Sequence, residues 1–309
     1  MMHVTASKYR ELTNNTKVTM GEPKDLEKLL VELKEWVAAQ PHVPKDMDEK
    51  LLRRFLHSCY CDMEKAQKAI ECFTSLRAST PELFVKRDPM SPQVQNALKI
   101  VNLGQVKAPG NRNLFIWQLN DPGLENYDYL QDARMFFLST DAWLLEEENL
   151  EEHDIAILDV KDITLKILTK INLSLAKKLS KYQEEAMPIR LKQVHVINAP
   201  PFIDKVFSIM KQFMNRDMSE MIHFHVPKSD TLFKYFSRDE LPKDFGGNLE
   251  SLEYYNKRLH NVLLKHRETL SKDDLWRAPE KKSKKSKGSK KELVADVPEM
   301  DSFRSLDID

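Results

Sequence analysis

Nine histidines, three cysteines and 48 acidic residues are the groups in this chain that could ligate a metal or act on a substrate. His223 and His225 alternate along one apolar segment, so on a strand they share a face, while His195 lies in another such segment. A metal site needs three or four ligands in fixed geometry, and no Asp or Glu is spaced to complete one here. Hydrogen-bonded structural histidines and no metal are therefore expected. Cys59-Tyr-Cys61 sends its thiols to different sides of a helix or turn, and no CxxC pair follows. With Cys72 the cysteine number is odd, which speaks against a disulfide scaffold and for a reducing compartment. There is no GxSxG elbow, no GxGxxG and no GxxxxGK[ST]. Glu146-Glu147-Glu148 and Glu151-Glu152 read as solvated charge near a helix end. Because no nucleophile, base and orienting group occur together, no catalytic residue, enzyme activity or cofactor is expected.

What remains is apolar surface. After Ala199-Pro200-Pro201, the residues Phe202, Val206, Ile209 and Phe213 form one helical stripe, and Ile203, Phe207, Met210 and Met214 form a second beside it. Such a face serves either as ordinary core or as a surface that repacks around a variable apolar partner, for which Met and Phe are suited. Met135-Phe136-Phe137-Leu138, followed by Ser139 and Thr140, carries the same two readings: core, or an apolar pocket with one or two orienting hydroxyls.

The elements that must position these groups change character along the chain. From Glu22 to Gln40, Leu26, Leu29, Leu30, Leu33, Trp36 and Val37 recur at spacings of three and four, and further helices follow over 48–58 and from Asp62 to before Pro81. Pro89 and Pro92 mark a linker. Beyond it, short apolar segments at 114–119, 154–160, 191–197 and 221–226 alternate with helical stretches at 127–148, 163–182 and 203–218. This alternation predicts a largely parallel sheet with helices packed on it. From Arg277 the apolar pattern is lost, and Lys281 to Lys291 is low-complexity and expected to be disordered.

Lys and Arg total 48 and match the acidic residues, so the whole chain carries no electrostatic footprint for nucleic acid. From Arg277 onward there are 9 basic and 7 acidic residues, which leaves 39 basic and 41 acidic before it. The lysine run is as consistent with attraction to anionic lipid as with a solubilising tail or a localisation signal. The start, Met1 to Leu12, lacks an apolar signal core, and no run approaches the ~18 apolar residues of a membrane span. A cytoplasmic protein is expected, with peripheral membrane association open to it.

The most specific string is Asp239-Glu-Leu-Pro-Lys-Asp-Phe-Gly-Gly247. It resembles the end signature of the CRAL-TRIO lipid-binding domain. Leu51-Leu-Arg-Arg-Phe-Leu56 with Ala66 resembles the helical module that precedes that domain, Val194-His-Val-Ile-Asn-Ala-Pro200 the strand leading into its gate helix, and Met221-Ile-His-Phe-His225 the strand after the gate. The resemblance is closest to the tocopherol-transfer and retinaldehyde-binding branch, and the whole chain looks like an insect member.

The resemblance implies a flexible start over 1–21, a helical module over 22–88, a CRAL-TRIO domain over 89–260, a helical extension over 261–276 and a disordered tail over 277–309. It implies an α/β fold whose mostly parallel sheet floors a hydrophobic cavity under a mobile lid helix. Ligand-lining positions fall on Phe136, Phe137, Thr140, Ile157, Leu179, Tyr182, Ile189 and Val194, with Phe207 and Met210 from the lid; Phe202, Ile203, Val206, Phe213 and Met214 are its other apolar residues. A basic cleft for phosphatidylinositol bisphosphate falls on Lys68, Arg190, Lys192 and the adjacent Arg216. That cleft departs from the family: Cys59 replaces an arginine, and Asp217 and Met221 replace basic residues. The turn Asp159-Val-Lys-Asp162 departs as well. The implied function is monomeric binding and transfer of a tocopherol-, retinoid- or carotenoid-like ligand. The alternative is a phospholipid-sensing adaptor recruited to membranes through its basic tail.

Overall fold

Spacing and caps set the helices. In the computed structural model, which describes residues 23–279, α1 (Pro23–Ala39) buries Leu30, Leu33 and Val37 and stops short of Pro41. The Asp48 carboxylate accepts from Leu51 N–H at 2.8 Å and opens α2 (Glu49–Ser58); Asp62 accepts from Lys65 N–H at 3.1 Å and opens α3 (Met63–Ser79). Caps of this kind are worth ~1 kcal/mol each. The expected linker around Pro89 and Pro92 instead contains α4 (Pro92–Ile100), with Pro92 in the first turn, where its missing N–H needs no partner.

A strand the sequence reading passed over follows directly. β1 (Val101–Ala108) pairs antiparallel with β2 (Arg112–Leu119) through a turn in which Gly110 and Asn111 both have positive φ. Then come α5 (Tyr129–Glu146), β3 (His153–Asp159), α6 (Leu173–Glu185), β4 (Leu191–Ile197), α7 (Ile203–Met210), β5 (Ile222–Phe224) and α8 (Leu252–Lys265). The sheet order is β1-β2-β3-β4-β5, and every pair after the first is parallel. The protein is therefore a mixed α/β fold with a helical N-terminal region and a mostly parallel five-stranded sheet. No helix among the described residues is long and apolar enough to cross a membrane.

Two expected helices are shorter than their patterns. The stretch from Ile163 forms one turn at Ile167–Lys170, and α6 begins only where Asn172 caps it by accepting from Leu175 N–H at 3.0 Å. The stretch from Ile203 to Met218 breaks after α7. It passes through a single tighter turn, Lys211–Phe213, extends at Met214 and restarts at Arg216 with Asn215 as cap. The polar start over 1–21 and the lysine run lie outside the described residues.

The two largest parts of the core lie on opposite faces of the sheet because strand side chains alternate between faces. The main cluster joins α1 to α6 and ends on Leu270, Leu275 and Trp276. Within it, Arg77 and Arg87 both pair with Asp141, all three buried, and Arg77 also donates to the Tyr182 hydroxyl at 2.9 Å. On the opposite sheet face Val106, Leu114, Ile116, Ile155, Ile157 and Ile197 pack against Leu232, Phe236, Leu241 and Leu252. The Leu-Pro-x-x-Phe-Gly-Gly string closes that face. A Cβ on Gly247 would lie 1.9 Å from the Leu241 carbonyl oxygen, so only glycine fits.

Candidate functional site

The strand register decides which side chains meet. Phe115, Ala156, Val194 and Ile222 stand in one row across the sheet; Trp117, Leu158, Val196 and Phe224 stand in the next, on the same face. Over this apolar face lies the segment between β4 and β5. Phe207 of α7 meets Phe224 edge-on, ring centroids 5.2 Å apart. Ile203 packs on the cluster of Val160, Val196 and Ala199, and Phe202 on the cluster around Leu119, Ile167 and Val206. Five of the eight residues of α7 are apolar, yet only Val206 is buried; Ile203, Phe207, Ile209 and Met210 stay partly open, as do Phe213 and Met214 beyond it.

The other expected lining residues divide. Val194 stands on the gate-side face, and Phe136, Leu179 and Ile189 are partly buried against the main cluster. Phe137 is fully packed, its ring 4.7 Å from Tyr182 and 4.8 Å from Phe84. Thr140 donates its hydroxyl to the Phe136 carbonyl at 2.8 Å. Burial pushes the Tyr182 hydroxyl well up, so it stays neutral beside Arg77. Ile157 corrects the expectation: it points to the far face, among Ile155, Leu232 and Leu241, because its odd-numbered position alternates with the gate-side Ala156 and Leu158. Trp117, Leu158, Val196, Ile222 and Phe224 went unnamed. Extending the alternation two residues on from Val194 would have found Val196.

The histidines form a hydrogen-bonded row. His195 Nε2 meets Gln193 Oε1 at 3.1 Å and its Nδ1 meets His225 Nε2 at 3.0 Å, while His225 Nδ1 meets Thr231 Oγ1 at 2.8 Å. His223 lies 5.2 Å from His195, ring to ring. Burial first, then the neighbouring imidazoles and Arg112, push His195 down to about 3, so it is neutral at physiological pH. Among the described residues no group of three or more His, Cys, Asp or Glu is placed to hold a metal.

The basic residues also divide. Arg190 is 5% exposed: its Nε donates to the His57 carbonyl at 2.8 Å, its guanidinium pairs with Glu152 and lies 4.2 Å over the Tyr60 ring. Lys192 donates to the Tyr60 hydroxyl from the surface. Lys68, 78% exposed, sits instead in a cleft of about 390 Å³ with Trp36, Gln40, Glu64, Gln67 and Glu71. Arg216, 87% exposed, pairs with Glu220 at 2.7 Å. Tyr60 thus joins Arg190 and Lys192, while Lys68 and Arg216 are engaged elsewhere.

Residues 22–94 match the family described as Pinta-like, UBA domain, and residues 110–247 match the CRAL/TRIO domain. Human alpha-tocopherol transfer protein-like is 24% identical to this chain over 69% of it and 62% of its own length, and its mouse counterpart is 25% identical over the same shares. Clavesin-2 of Rattus norvegicus is 21% identical over 81% of this chain and 77% of its own. The chain spans about 62% of the length of the first of these relatives. The crystal structure of Sfh5 superposes with a TM-score of 0.50 at 10% identity, over 80% of this chain and 98% of that one, a likeness of fold alone. Within this chain the CRAL/TRIO match runs from the start of β2 to the Gly246-Gly247 turn.

Proposed function

We propose that this CRAL/TRIO protein is a carrier that holds one small apolar molecule of tocopherol, retinoid or carotenoid class under α7 and exchanges it with membranes, without covalent chemistry. The observation that carries the reading is the lid. It is an apolar helix laid over an apolar sheet face, with only Val206 of its eight residues buried. A helix that only completes a core buries its stripe; this one keeps Phe207 and Met210 available to a ligand. Phe136, Leu179, Ile189 and Val194 supply the facing wall, with Phe137, Thr140 and Tyr182 packed behind it. Phe202, Ile203, Val206, Phe213 and Met214 complete the lid.

Hiding about 400 Å² of apolar ligand surface from water is worth roughly 10 kcal/mol at ~25 cal/mol per Å². That gain vanishes once the lid opens onto lipid, which drives release at a membrane. Contact with anionic headgroups, including phosphatidylinositol bisphosphate, falls to Lys192 beside Tyr60 and to Lys68 and Arg216, with Arg190 as the buried strut that fixes Tyr60. The protein acts as a cytoplasmic monomer that visits membranes peripherally.

Native mass spectrometry with organic extraction, on protein from a eukaryotic host, tests the reading. A stoichiometric apolar small molecule supports it and names the class. A bound phospholipid moves the function to lipid sensing. A protein that is empty, and takes up neither tocopherol nor retinal when offered, refutes it.

A further inference from the structure

We infer that Asp159 is the positioning residue of the gate: through Asn198 it fixes the backbone where the chain leaves the sheet, and so sets how readily the gate opens. The inference takes its meaning from the carrier reading, but its test does not depend on it.

β4 ends at Ile197, and the next residue, Asn198, has φ +55°, a left-handed conformation that few non-glycine residues adopt and that Asn tolerates best. Ala199 N–H then donates to the His225 carbonyl at 2.9 Å, and the chain runs on through Pro200 and Pro201 into the gate. What holds Asn198 is its own amide: Nδ2 donates to Asp159 Oδ1 at 2.8 Å. Asp159 is 2% exposed and committed on all sides. Its Oδ1 also accepts from Lys161 N–H at 3.1 Å, and its Oδ2 accepts from Gln118 Nε2 at 2.7 Å.

The row continues away from the gate. Asn102 Nδ2 donates to Gln118 Oε1 at 2.8 Å, and Asn256 Oδ1 of α8 accepts from Leu103 N–H at 3.1 Å. Asn102, Gln118 and Asp159 are register partners, so they form one polar row at the end of three adjacent strands, on the face turned away from the gate. The gate's departure point is thus tied to the rigid body of the sheet by one charge-assisted hydrogen bond in a partly buried setting, the strong kind. Asn198 itself is partly exposed and could be satisfied by water; the bond therefore buys position, not mere satisfaction of a buried amide.

Hydrogen exchange on the full chain, read over residues 203–214 with β3 as internal reference, tests the inference. Asn198→Gly keeps the left-handed backbone and removes the amide. It should speed exchange in the gate roughly tenfold, the worth of one hydrogen bond to a charged group, and leave β3 unchanged. Asn198→Asp sets a second carboxylate against Asp159 and should speed it further. Unchanged gate exchange in both variants overturns the inference. So does a parallel rise in β3, which would make the bond a strut of the sheet. Uptake of a fluorescent tocopherol analogue by the wild type is measured alongside. Failure to load counts against the carrier, while the exchange data still decide the hinge.

Discussion

Replacing Gly247 by alanine should be among the most damaging single-methyl changes in this protein. The added Cβ would stand 1.9 Å from the Leu241 carbonyl oxygen and 2.4 Å from its carbon, where unstrained contacts need about 3.5 Å. Leu241 is fully buried against Ile155 and Ile157, so relief must come from the Gly247 strand of the turn. Moving it breaks the bonds from Gly247 N–H to Pro242 O (3.0 Å), Asn248 N–H to Arg238 O (2.8 Å) and Leu249 N–H to Leu241 O (3.0 Å). Three bonds at ~1 kcal/mol each, with ~1–2 kcal/mol of overpacking around Leu241, give about 4–5 kcal/mol. That is a large share of the 5–15 kcal/mol typical of a folded protein. Gly246→Ala is the control. Gly246 has φ +78°, but its Cβ would meet side chains alone, the Phe233 ring at 3.2 Å and Arg238 Nη1 at 3.6 Å, so the cost should be about 1–2 kcal/mol. Urea unfolding of both variants, with the midpoint shift read at constant slope, measures the difference. If Gly247→Ala costs no more than Gly246→Ala, the close approach to Leu241 does not constrain the turn and the reasoning fails.

Asp141→Ala should cost about 3–5 kcal/mol in thermal or urea unfolding, because it leaves Arg77 and Arg87 buried without a counter-charge. Burial opposes ionisation of Asp141, but the two guanidiniums outweigh it and hold the carboxyl below its usual range. The wild type's advantage is therefore present above about pH 4 and should shrink as pH falls further. Asp132 behaves oppositely: burial raises it to about 6 against donation from Trp117 Nε1 and the Tyr127 hydroxyl. Stability tied to its protonated form is complete below its unfolded value and lost as pH rises through about 6, so Asp132→Asn should gain on the wild type in melting temperature between about pH 4 and pH 6 and hold that gain above it. Arg190→Ala should lower the melting temperature, since it empties a buried site shared by Glu152, His57 and Tyr60, whereas Lys192→Ala should leave it unchanged and weaken binding to vesicles containing phosphatidylinositol bisphosphate. Equal melting temperatures for the two variants would contradict the assignment of Arg190 as a strut.

Local spacing was enough for much of the architecture. The three- and four-residue recurrence from Leu26 to Val37 gave α1, and the apolar runs at 154–160 and 191–197 gave β3 and β4, because helix and strand periods are imposed by the backbone itself. The Leu-Pro-x-x-Phe-Gly-Gly string marked the turn whose glycine nothing else can replace. Other features depend on groups distant in the chain. β1 carries Asn102, Gly104, Gln105 and Lys107 and reads as linker; it is a strand because β2 pairs with it and α8 comes close enough to need Gly104 bare. Ile155-Ala-Ile-Leu158 is apolar throughout, so no alternation in it reveals which side chains face the gate; the layers packed on either side of the sheet put Ile157 away from it. Arg190 reads as one more surface cation until Glu152, 38 residues away, and the His57 carbonyl, 133 residues away, close over it. Sequence determined which segments could be helix, strand or lid, since those follow from neighbours a few residues apart. Tertiary structure alone decided which side chains face one another, since burial and charge pairing are properties of surfaces that the chain brings together only on folding.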